Sequence, residues 1–234
     1  MDVPASIEII NQSLKASSMN RRPAELYQPM EYILGVDSRR NHPLLTLWGC
    51  HLLSGDIRKA LTPSLGVEWI HSFLMIHEDL LDHKVTRFGK DCVHIRWNDN
   101  VAILSGDAMI FRAYELLICV ETRLIKSVVK AFNQCFIKIC EAKQLQLNAV
   151  RNSNNPDDLK FFPGALSGFS LQLGTLVGGG DERQVEAARD LGNSLADWRA
   201  FPGNQDYRDQ ALQALSQLNA KHQRTEEFIH WAGI

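Results

Sequence analysis

Residues 67–82 read VEWIHSFLMIHEDLLD, a long run with apolar residues at helical spacing that ends in three acids. With about 3.6 residues per turn, His71, Glu78 and Asp82 fall on one stripe of the predicted helix, and Asp79 lies at its edge. The other faces carry the apolar residues that a protein core requires. The stretch therefore predicts a mostly buried helix that presents a carboxylate cluster near its C-terminal end.

The cluster of Glu78, Asp79 and Asp82 requires a counter-charge, because three like charges so close together repel one another against an apolar body. Bulk water, Arg or Lys partners, or a divalent cation could each supply it. Mg²⁺ suits carboxylate oxygens and completes its shell with water and substrate phosphates. The residues alone leave two interpretations open, a magnesium site or the solvated end of an amphipathic helix.

The composition is that of an ordinary globular protein: 234 residues, 45% of them hydrophobic, with a formal net charge of −2. So balanced a charge gives no reason to expect nucleic acid or an anionic membrane as a partner. No run approaches the roughly 18 uncharged apolar residues of a membrane span, and the first residues lack the pattern of a signal peptide. Five widely spaced cysteines without a C-x-x-C motif favour reduced thiols. We therefore expect a soluble, cytoplasmic protein.

Helical periodicity recurs along nearly the whole chain, punctuated by joints rich in Pro, Gly and Asn. The predicted helices cover residues 3–17, 24–36, 44–53, a central helix containing 67–82, 98–120, 123–150 and 207–231. Pro63 should break the chain before the central helix, and Pro29 should kink its own helix or delay its start. The clearest loop spans residues 151–158. The pattern predicts one all-α domain covering residues 1–234.

Several motifs, in order and at matching spacing, resemble one known family. Residues 77–82 read HEDLLD and residues 87–90 read RFGK, which resemble the H-D-D-x-x-D and R-R-G-K motifs of the trans-isoprenyl diphosphate synthases, the polyprenyl synthetase family. Residues 97–108, WNDNVAILSGDA, resemble the family's W-x-x-N-x-A-I-L-x-G-D segment. The resemblance is strong over residues 24–150. It implies an isoprenoid synthase-type bundle of around eight helices around a central cavity.

The resemblance assigns roles to the acidic cluster and to the segment that follows it. It implies that Glu78, Asp79 and Asp82 are catalytic residues that bind Mg²⁺, the cofactor expected for the family. It further implies that Arg87 binds the allylic diphosphate. Phe88 stands where the family has a second Arg for isopentenyl diphosphate.

A second set of substrate-binding residues comes from residues 35–43, GVDSRRNHP, which occupy the place of the family's G-G-K-R-x-R-P. Arg39 replaces the Lys, Arg40 matches, and His42 replaces the last Arg. With His71, these residues are implied to bind isopentenyl diphosphate. Without the resemblance, the Arg pair would indicate a solvated helix start and His71 a satisfied core residue.

The resemblance weakens over residues 151–234. No Lys-Thr pair follows residues 158–162, and the family's second aspartate-rich motif, F-Q-x-x-D-D-x-x-D, has no counterpart. Asp190 and Asp197 are interpreted as solvated charges on a helix. This part of the chain is therefore interpreted as shortened and divergent, with an internal loss of about two or three helices.

The family resemblance implies a trans-prenyltransferase that condenses isopentenyl diphosphate with an allylic diphosphate in isoprenoid biosynthesis. The alternative is a catalytically impaired or inactive relative that binds a diphosphate, or that serves as the partner subunit of an active synthase. A helical bundle without any ligand is a third, plainer possibility. We expect a homodimer, or a heterodimer with an active synthase, because the helix from Ile103 to Val120 is more apolar than one internal face requires.

Overall fold

Helices make up almost all of the regular structure. The computed structural model describes residues 1–16, 22–36, 39–152 and 164–234. Within these ranges the chain forms eleven α-helices, a 3-10 turn at Thr122–Leu124 and one two-stranded hairpin. The helices are α1 (Val3–Ala16), α2 (Ala24–Leu34), α3 (Asn41–Leu53), α4 (Arg58–Leu81), α5 (Val93–Arg96), α6 (Asp99–Leu117), α7 (Ile125–Asn152), α8 (Gly164–Val177), α9 (Glu182–Ala200), α10 (Gln205–Ser216) and α11 (His222–Ala232). The helical periodicity of the sequence predicts this class of architecture, although it predicts fewer helices.

Residue contacts divide the chain into two compact units. The acidic-motif unit comprises residues 2–44 and 61–119, and the C-terminal unit comprises residue 1 with residues 45–60 and 120–234. The single domain covering residues 1–234 stays a prediction.

Two prolines lie inside helices rather than at helix boundaries. Helix α4 begins at Arg58 and includes Pro63, so the predicted break before the central helix is wrong. Residues 63–70 are buried without exception, and this packing outweighs the single backbone hydrogen bond that a proline removes. Pro29 is likewise buried within α2, whose start at Ala24 is not delayed.

Helices α2 and α6 pack together in the acidic-motif unit. Asn98 caps α6, because its side-chain oxygen accepts a hydrogen bond of 2.9 Å from the backbone N–H of Val101. One turn further on, the Ser105 hydroxyl donates to the backbone oxygen of Leu26 in α2, at 3.1 Å. Met109 of α6 is fully buried. The helix predicted over residues 98–120 therefore exists, over Asp99–Leu117, with its N-terminal end capped by Asn98.

The segment after α4 forms a tight hairpin. Strand β1 (Thr86–Arg87) pairs antiparallel with β2 (Lys90–Asp91). The two turn residues both have positive φ, 51° at Phe88 and 73° at Gly89, as a two-residue hairpin turn with the right-handed strand twist requires. The backbone N–H of Cys92 donates to the oxygen of Val85 at 2.9 Å and closes the hairpin at its base.

Helix α8 is buried along most of its length in the C-terminal unit, where it packs on α7 and α9. Close approach is possible because glycines replace side chains at the contacts. A Cβ on Gly192 of α9 would lie 2.4 Å from the backbone oxygen of Ser167 in α8. Although α8 is very apolar, no helix in the described ranges combines the length and apolar character needed to cross a membrane.

The end of the chain holds two helices where the sequence predicts one over residues 207–231. Helix α10 ends at Ser216, and α11 begins only at His222. Asn219 lies between them with a φ of 49°, a left-handed conformation that no helix continues through. The prediction of one continuous helix is wrong, because the apolar periodicity of residues 207–231 does not reveal this short turn. Residues 153–158 of the predicted loop and residues 161–162 lie outside the described residues.

Candidate functional site

Asp79 is the buried member of the acidic cluster and it is held by Arg87. Only 1% of Asp79 is exposed. The Arg87 Nε donates to both carboxylate oxygens, at 2.8 and 2.9 Å, and Nη2 lies 2.7 Å from Oδ1. Burial alone would lower the pKa of Arg87, but the hydrogen bond and charge of Asp79 outweigh burial and raise it. Asp79 therefore fixes the start of the hairpin against the end of α4.

Cys92, at the base of the hairpin, makes a second contact with Asp79. Burial and the hydrogen bond to Asp79 together raise the pKa of the Cys92 thiol to about 11. The thiol is therefore protonated at neutral pH and serves as a donor to the carboxylate. Both ends of the hairpin are thus attached to the same acid, a role that the sequence alone did not reveal.

Glu78 and Asp82 are the outward members of the cluster. Their side chains are 30% and 32% exposed. Glu78 lies in the last turn of α4 and Asp82 directly follows the helix, with its backbone N–H donating to the backbone oxygen of Glu78 at 2.9 Å, so the two acids lie on one face. The Glu78 Oε2 lies 3.6 Å from Nη2 of Arg87, and the Asp82 Oδ2 lies 3.6 Å from Nζ of Lys84. The acidic cluster therefore divides into one internal anchor and two accessible carboxylates.

The different environments of the three acids affect which of them could bind the expected Mg²⁺. In the part of the chain that the structure describes, no group of three or more His, Cys, Asp or Glu side chains is arranged to hold a metal ion. Mg²⁺ commonly takes only one or two protein carboxylates and leaves its other positions to water and substrate phosphates. Glu78 and Asp82 fit that donor set, whereas the oxygens of Asp79 are already bound to Arg87. Metal binding by the three acids stays a prediction.

Arg40 is buried, which distinguishes it from the neighbouring Arg39. Its Nη1 lies 2.5 Å from Oε1 of Glu68, Nη2 donates to the backbone oxygen of Leu34 at 2.8 Å, and Nε donates to Oδ1 of Asn11 at 2.9 Å. Arg39 is exposed, and it forms no ion pair within the described residues. Of these two adjacent arginines, only Arg39 is exposed to solvent.

Glu68 is a buried carboxylate that the sequence analysis missed, because a single Glu in an apolar run carries no motif. Burial would raise its pKa, but the charges of His71 and Arg40, together with the hydrogen bond from Arg40, outweigh burial and lower it to about 2. The Glu68 Oε2 lies 3.8 Å from Nδ1 of His71. Arg40 thus links two helices. It binds Glu68 of α4 and Asn11 of α1, and it lies directly before the start of α3.

His42 and His71 are brought together by the fold. Their ring centroids lie 4.6 Å apart, with an angle of 47° between the ring planes. His42 comes from the first turn of α3 and His71 from the middle of α4, and the His71 side chain is 25% exposed. Two imidazoles that the sequence places 29 positions apart are therefore neighbours, as a shared binding role requires.

His77 fixes the acidic end of α4 against α6. Its ring packs on Phe73, with centroids 4.3 Å apart. A Cβ on Gly106 would lie 2.4 Å from His77 Nε2, so only glycine leaves room for this ring. Gly106, the glycine of the segment at residues 97–108, therefore allows α6 to pack against His77, the residue just before the acids.

Helix α9 carries the two acids that the sequence analysis interpreted as solvated charges. Asp190 is exposed and pairs with Arg189 at 3.1 Å. Asp197 is half-buried, and burial raises its pKa. It lies on the wall of a cavity of about 700 Å³ bounded by α7, α8 and α9, together with Lys138, Phe169 and Asn193.

Comparison with known proteins gives a consistent result. The family model described as polyprenyl synthetase matches residues 23–214. The geranylgeranyl diphosphate synthase of Methanosarcina mazei is 28% identical over 182 residues, which cover 74% of this chain and 56% of that protein. The large subunit 1 of a heterodimeric, chloroplastic geranylgeranyl pyrophosphate synthase of Arabidopsis thaliana is 29% identical over 203 residues, covering 78% and 54%. The chain thus spans about half the length of the curated relatives it matches.

A solved structure extends the likeness to the fold. The geranylgeranyl pyrophosphate synthetase of the archaeon Geoglobus acetivorans superposes with a TM-score of 0.82 at 17% identity, covering 99% of this chain and 96% of that one. This similarity confirms the predicted all-α fold of the isoprenoid synthase type. Since the family match extends over most of the chain and includes the motifs at residues 77–82 and 97–108, the chain belongs to the polyprenyl synthetase family.

Proposed function

We propose that this chain is a trans-prenyltransferase that condenses isopentenyl diphosphate with an allylic diphosphate in isoprenoid biosynthesis. One observation carries the proposal: Arg87 fixes Asp79 internally, while Glu78, in the last turn of α4, and Asp82, directly after α4, remain accessible. An accessible carboxylate pair next to a fixed guanidinium suits a metal-bound diphosphate. Family membership supports the same reaction class.

The reaction places its main electrostatic demand on the leaving group. The allylic C–O bond breaks and its electron pair leaves with the diphosphate, the double bond of isopentenyl diphosphate then attacks the allylic carbon, and a proton is lost. Mg²⁺ held by Glu78 and Asp82 would offset the charge of the departing diphosphate. Arg87, which Asp79 orients, adds a fixed positive charge beside Glu78.

For isopentenyl diphosphate, the proposed ligands are Arg39, His42 and His71. Arg39 supplies an exposed guanidinium, which binds phosphate through paired N–H groups. The two imidazoles, 4.6 Å apart, add further donors when protonated. Arg40 has another role in this proposal: its donors bind Glu68, Leu34 and Asn11, so it supports the site from within.

The partner proposed for α6 is a second prenyl synthase chain. Leu104, Phe111 and Ile118 recur at intervals of seven residues, which is one stripe of a helix, and they are 61%, 71% and 41% exposed. An exposed apolar stripe of this kind is typical of a helix-to-helix interface. The second chain is either another copy of this protein or an active synthase. In the first case the purified protein is a homodimer, and in the second an active synthase co-purifies with it.

We also propose that the protein works in the cytoplasm. All five cysteines are free thiols, and three of them, Cys50, Cys92 and Cys135, are buried. Free thiols in this number suit a reducing compartment. Fractionation of cells expressing the tagged full-length protein would test the location.

The decisive experiment incubates the purified protein with Mg²⁺, labelled isopentenyl diphosphate and a series of allylic primers. We expect a prenyl diphosphate product, and a loss of at least about 100-fold in rate for the Glu78→Gln/Asp82→Asn variant, since the metal would lose its protein ligands. The matched control is Glu121→Gln/Asp209→Asn, which makes the same charge change at exposed positions.

The outcomes separate the two functional hypotheses. Product formation that depends on Glu78 and Asp82 supports the enzyme. Absence of product with every primer, together with co-purification of an active synthase, would instead establish the partner-subunit function. If no product forms, no synthase co-purifies and calorimetry gives no heat of pyrophosphate binding, the proposal of a diphosphate site is wrong.

A further inference from the structure

Glu68 stands out because it is a completely buried carboxylate between two cationic or potentially cationic side chains. Its exposed fraction is 0%, and its two oxygens face different partners. Oε1 binds the guanidinium of Arg40, and Oε2 faces Nδ1 of His71 at 3.8 Å. Burying a carboxylate costs free energy unless such partners stabilise its charged form. The burial of Glu68 between these two partners therefore calls for a functional explanation.

The Arg40 side of this network is rigid. Arg40 has a φ of 50°, a conformation that side-chain-bearing residues seldom adopt, and it is held there by acceptors in three different segments. A carboxylate bound to so constrained a guanidinium has little freedom to rotate. Oε2 of Glu68 is therefore a fixed acceptor pointing at one edge of the His71 ring.

Nδ1 is the edge of the His71 ring that faces Glu68. Nδ1 of His71 is buried, and it makes no hydrogen bond with any residue of the described ranges. Oε2 of Glu68 lies 3.8 Å from this nitrogen and likewise makes no hydrogen bond with the described residues. Because an ionised carboxylate can only accept a hydrogen bond, a neutral His71 ring with its proton on Nδ1 is the tautomer that matches this oxygen.

We propose that Glu68 is a positioning residue of the diphosphate site: it fixes the tautomer and the orientation of His71, so that Nε2 is the nitrogen offered to a phosphate oxygen beside His42. This inference rests on the proposed function, which places isopentenyl diphosphate at His42 and His71. When an anionic ligand brings a proton onto Nε2, the resulting imidazolium is stabilised by the carboxylate behind it. Glu68 thus contributes to diphosphate binding through His71, without touching the ligand.

The first test needs no ligand. Long-range ¹H–¹⁵N NMR of the full chain, at a pH of about 8.5 where imidazole side chains are ordinarily neutral, distinguishes the two tautomers of His71. The signals are assigned by comparison with His71→Gln. We expect the Nδ1–H tautomer in the unaltered protein and a shift towards Nε2–H in Glu68→Gln. An Nε2–H tautomer in the unaltered protein overturns the proposal.

Because Glu68→Gln leaves Arg40 buried without its counter-ion, a second variant guards against misfolding. Arg40→Met/Glu68→Leu removes both charges and keeps the volume, a replacement that buried ion pairs often tolerate. We expect the same change of tautomer in this variant. If the Nδ1–H tautomer persists without the carboxylate, Glu68 does not position His71.

The second test measures the binding of inorganic pyrophosphate by titration calorimetry without Mg²⁺, so that the metal-dependent site proposed at Glu78 and Asp82 does not contribute. We expect Glu68→Gln to weaken binding about tenfold, the scale typical of losing a partner that orients a ligand-binding imidazole. In the His71→Ala background the same substitution should have almost no effect, because the two residues act as one unit. Equal losses in both backgrounds overturn the proposal, and Glu115→Gln, at an exposed position, is the control.

The two tests fail in distinguishable ways. If the unaltered protein does not bind pyrophosphate, the proposed function fails, whereas the NMR result still decides whether Glu68 orients His71. If pyrophosphate binds and the tautomer does not depend on Glu68, the proposed function stands and the positioning role is wrong.

Discussion

The Nη2 of Arg87 lies 2.7 Å from Oδ1 of Asp79, and this ion pair joins the end of α4 to the first strand of the hairpin. The Asp79 side chain is 2% exposed and the Arg87 side chain 20%, so the pair is largely removed from solvent. Its charge attraction is therefore screened little by water or salt. Because Asp79 is bound to Arg87, Glu78 and Asp82 are the two acids of the cluster that remain accessible to a ligand.

Replacing Arg87 should destabilise the protein. Arg87→Ala would leave Asp79 as a buried carboxylate without its main partner, which typically costs about 3 kcal/mol in the free energy of unfolding. Urea denaturation of the two proteins measures the difference. Arg123→Ala is the matched control, because the pair of Arg123 with Glu121 is more than half exposed on both sides and such pairs are worth at most about 1 kcal/mol. Equal losses in the two variants would show that Asp79 does not depend on Arg87.

Gly106→Ala should destabilise the contact between α4 and α6. The new Cβ would lie 2.4 Å from Nε2 of His77 and 3.3 Å from a ring carbon of Phe73, so the His77 ring must move. Overpacking of this kind typically costs about 1–3 kcal/mol, which thermal or urea unfolding measures. In a His77→Ala background the same substitution should cost much less, because the obstructing ring is gone. An unchanged cost in that background would contradict the packing argument.

Glu68 should make the stability depend on pH in the acid range. The pKa of Glu68 in the folded protein is about 2, below its ordinary value of 4.5. Its contribution to stability is therefore complete above pH 4.5 and is lost as the pH falls towards 2. Unfolding measured by denaturant at a series of pH values should show a shallower acid dependence in Glu68→Gln than in the unaltered protein. The exposed substitution Glu121→Gln should leave the profile nearly unchanged.

The five cysteines should react at very different rates. Cys119 and Cys140 are exposed, whereas Cys50, Cys92 and Cys135 are buried. Burial raises the pKa of the Cys135 thiol to about 12, and burial with the hydrogen bond to Asp79 raises that of Cys92 to about 11, so neither forms the reactive thiolate at neutral pH. A chromogenic disulfide reagent should titrate two thiols quickly and three only after denaturation. Fast reaction of Cys92 in the folded protein would argue against its contact with Asp79.

Local periodicity and ordered motifs, such as those at residues 77–82 and 97–108, were enough to predict the fold class, the family and the helix that carries the acids. The sequence also placed His71, Glu78 and Asp82 on one face of that helix, since a helix has a fixed number of residues per turn. It failed at Pro63 and at the turn containing Asn219, where burial and a left-handed residue override the local pattern.

Which charges face inward depends on contacts between segments that are distant in sequence. Arg40 and Arg39 are adjacent in sequence, yet one is buried on Glu68, 28 residues away, and the other is exposed. Asp79 is likewise buried against Arg87, whereas the side chain of its neighbour Glu78 is partly exposed. A buried charge is stable only where a partner of opposite sign reaches it, and that partner comes from a distant segment which local periodicity does not identify.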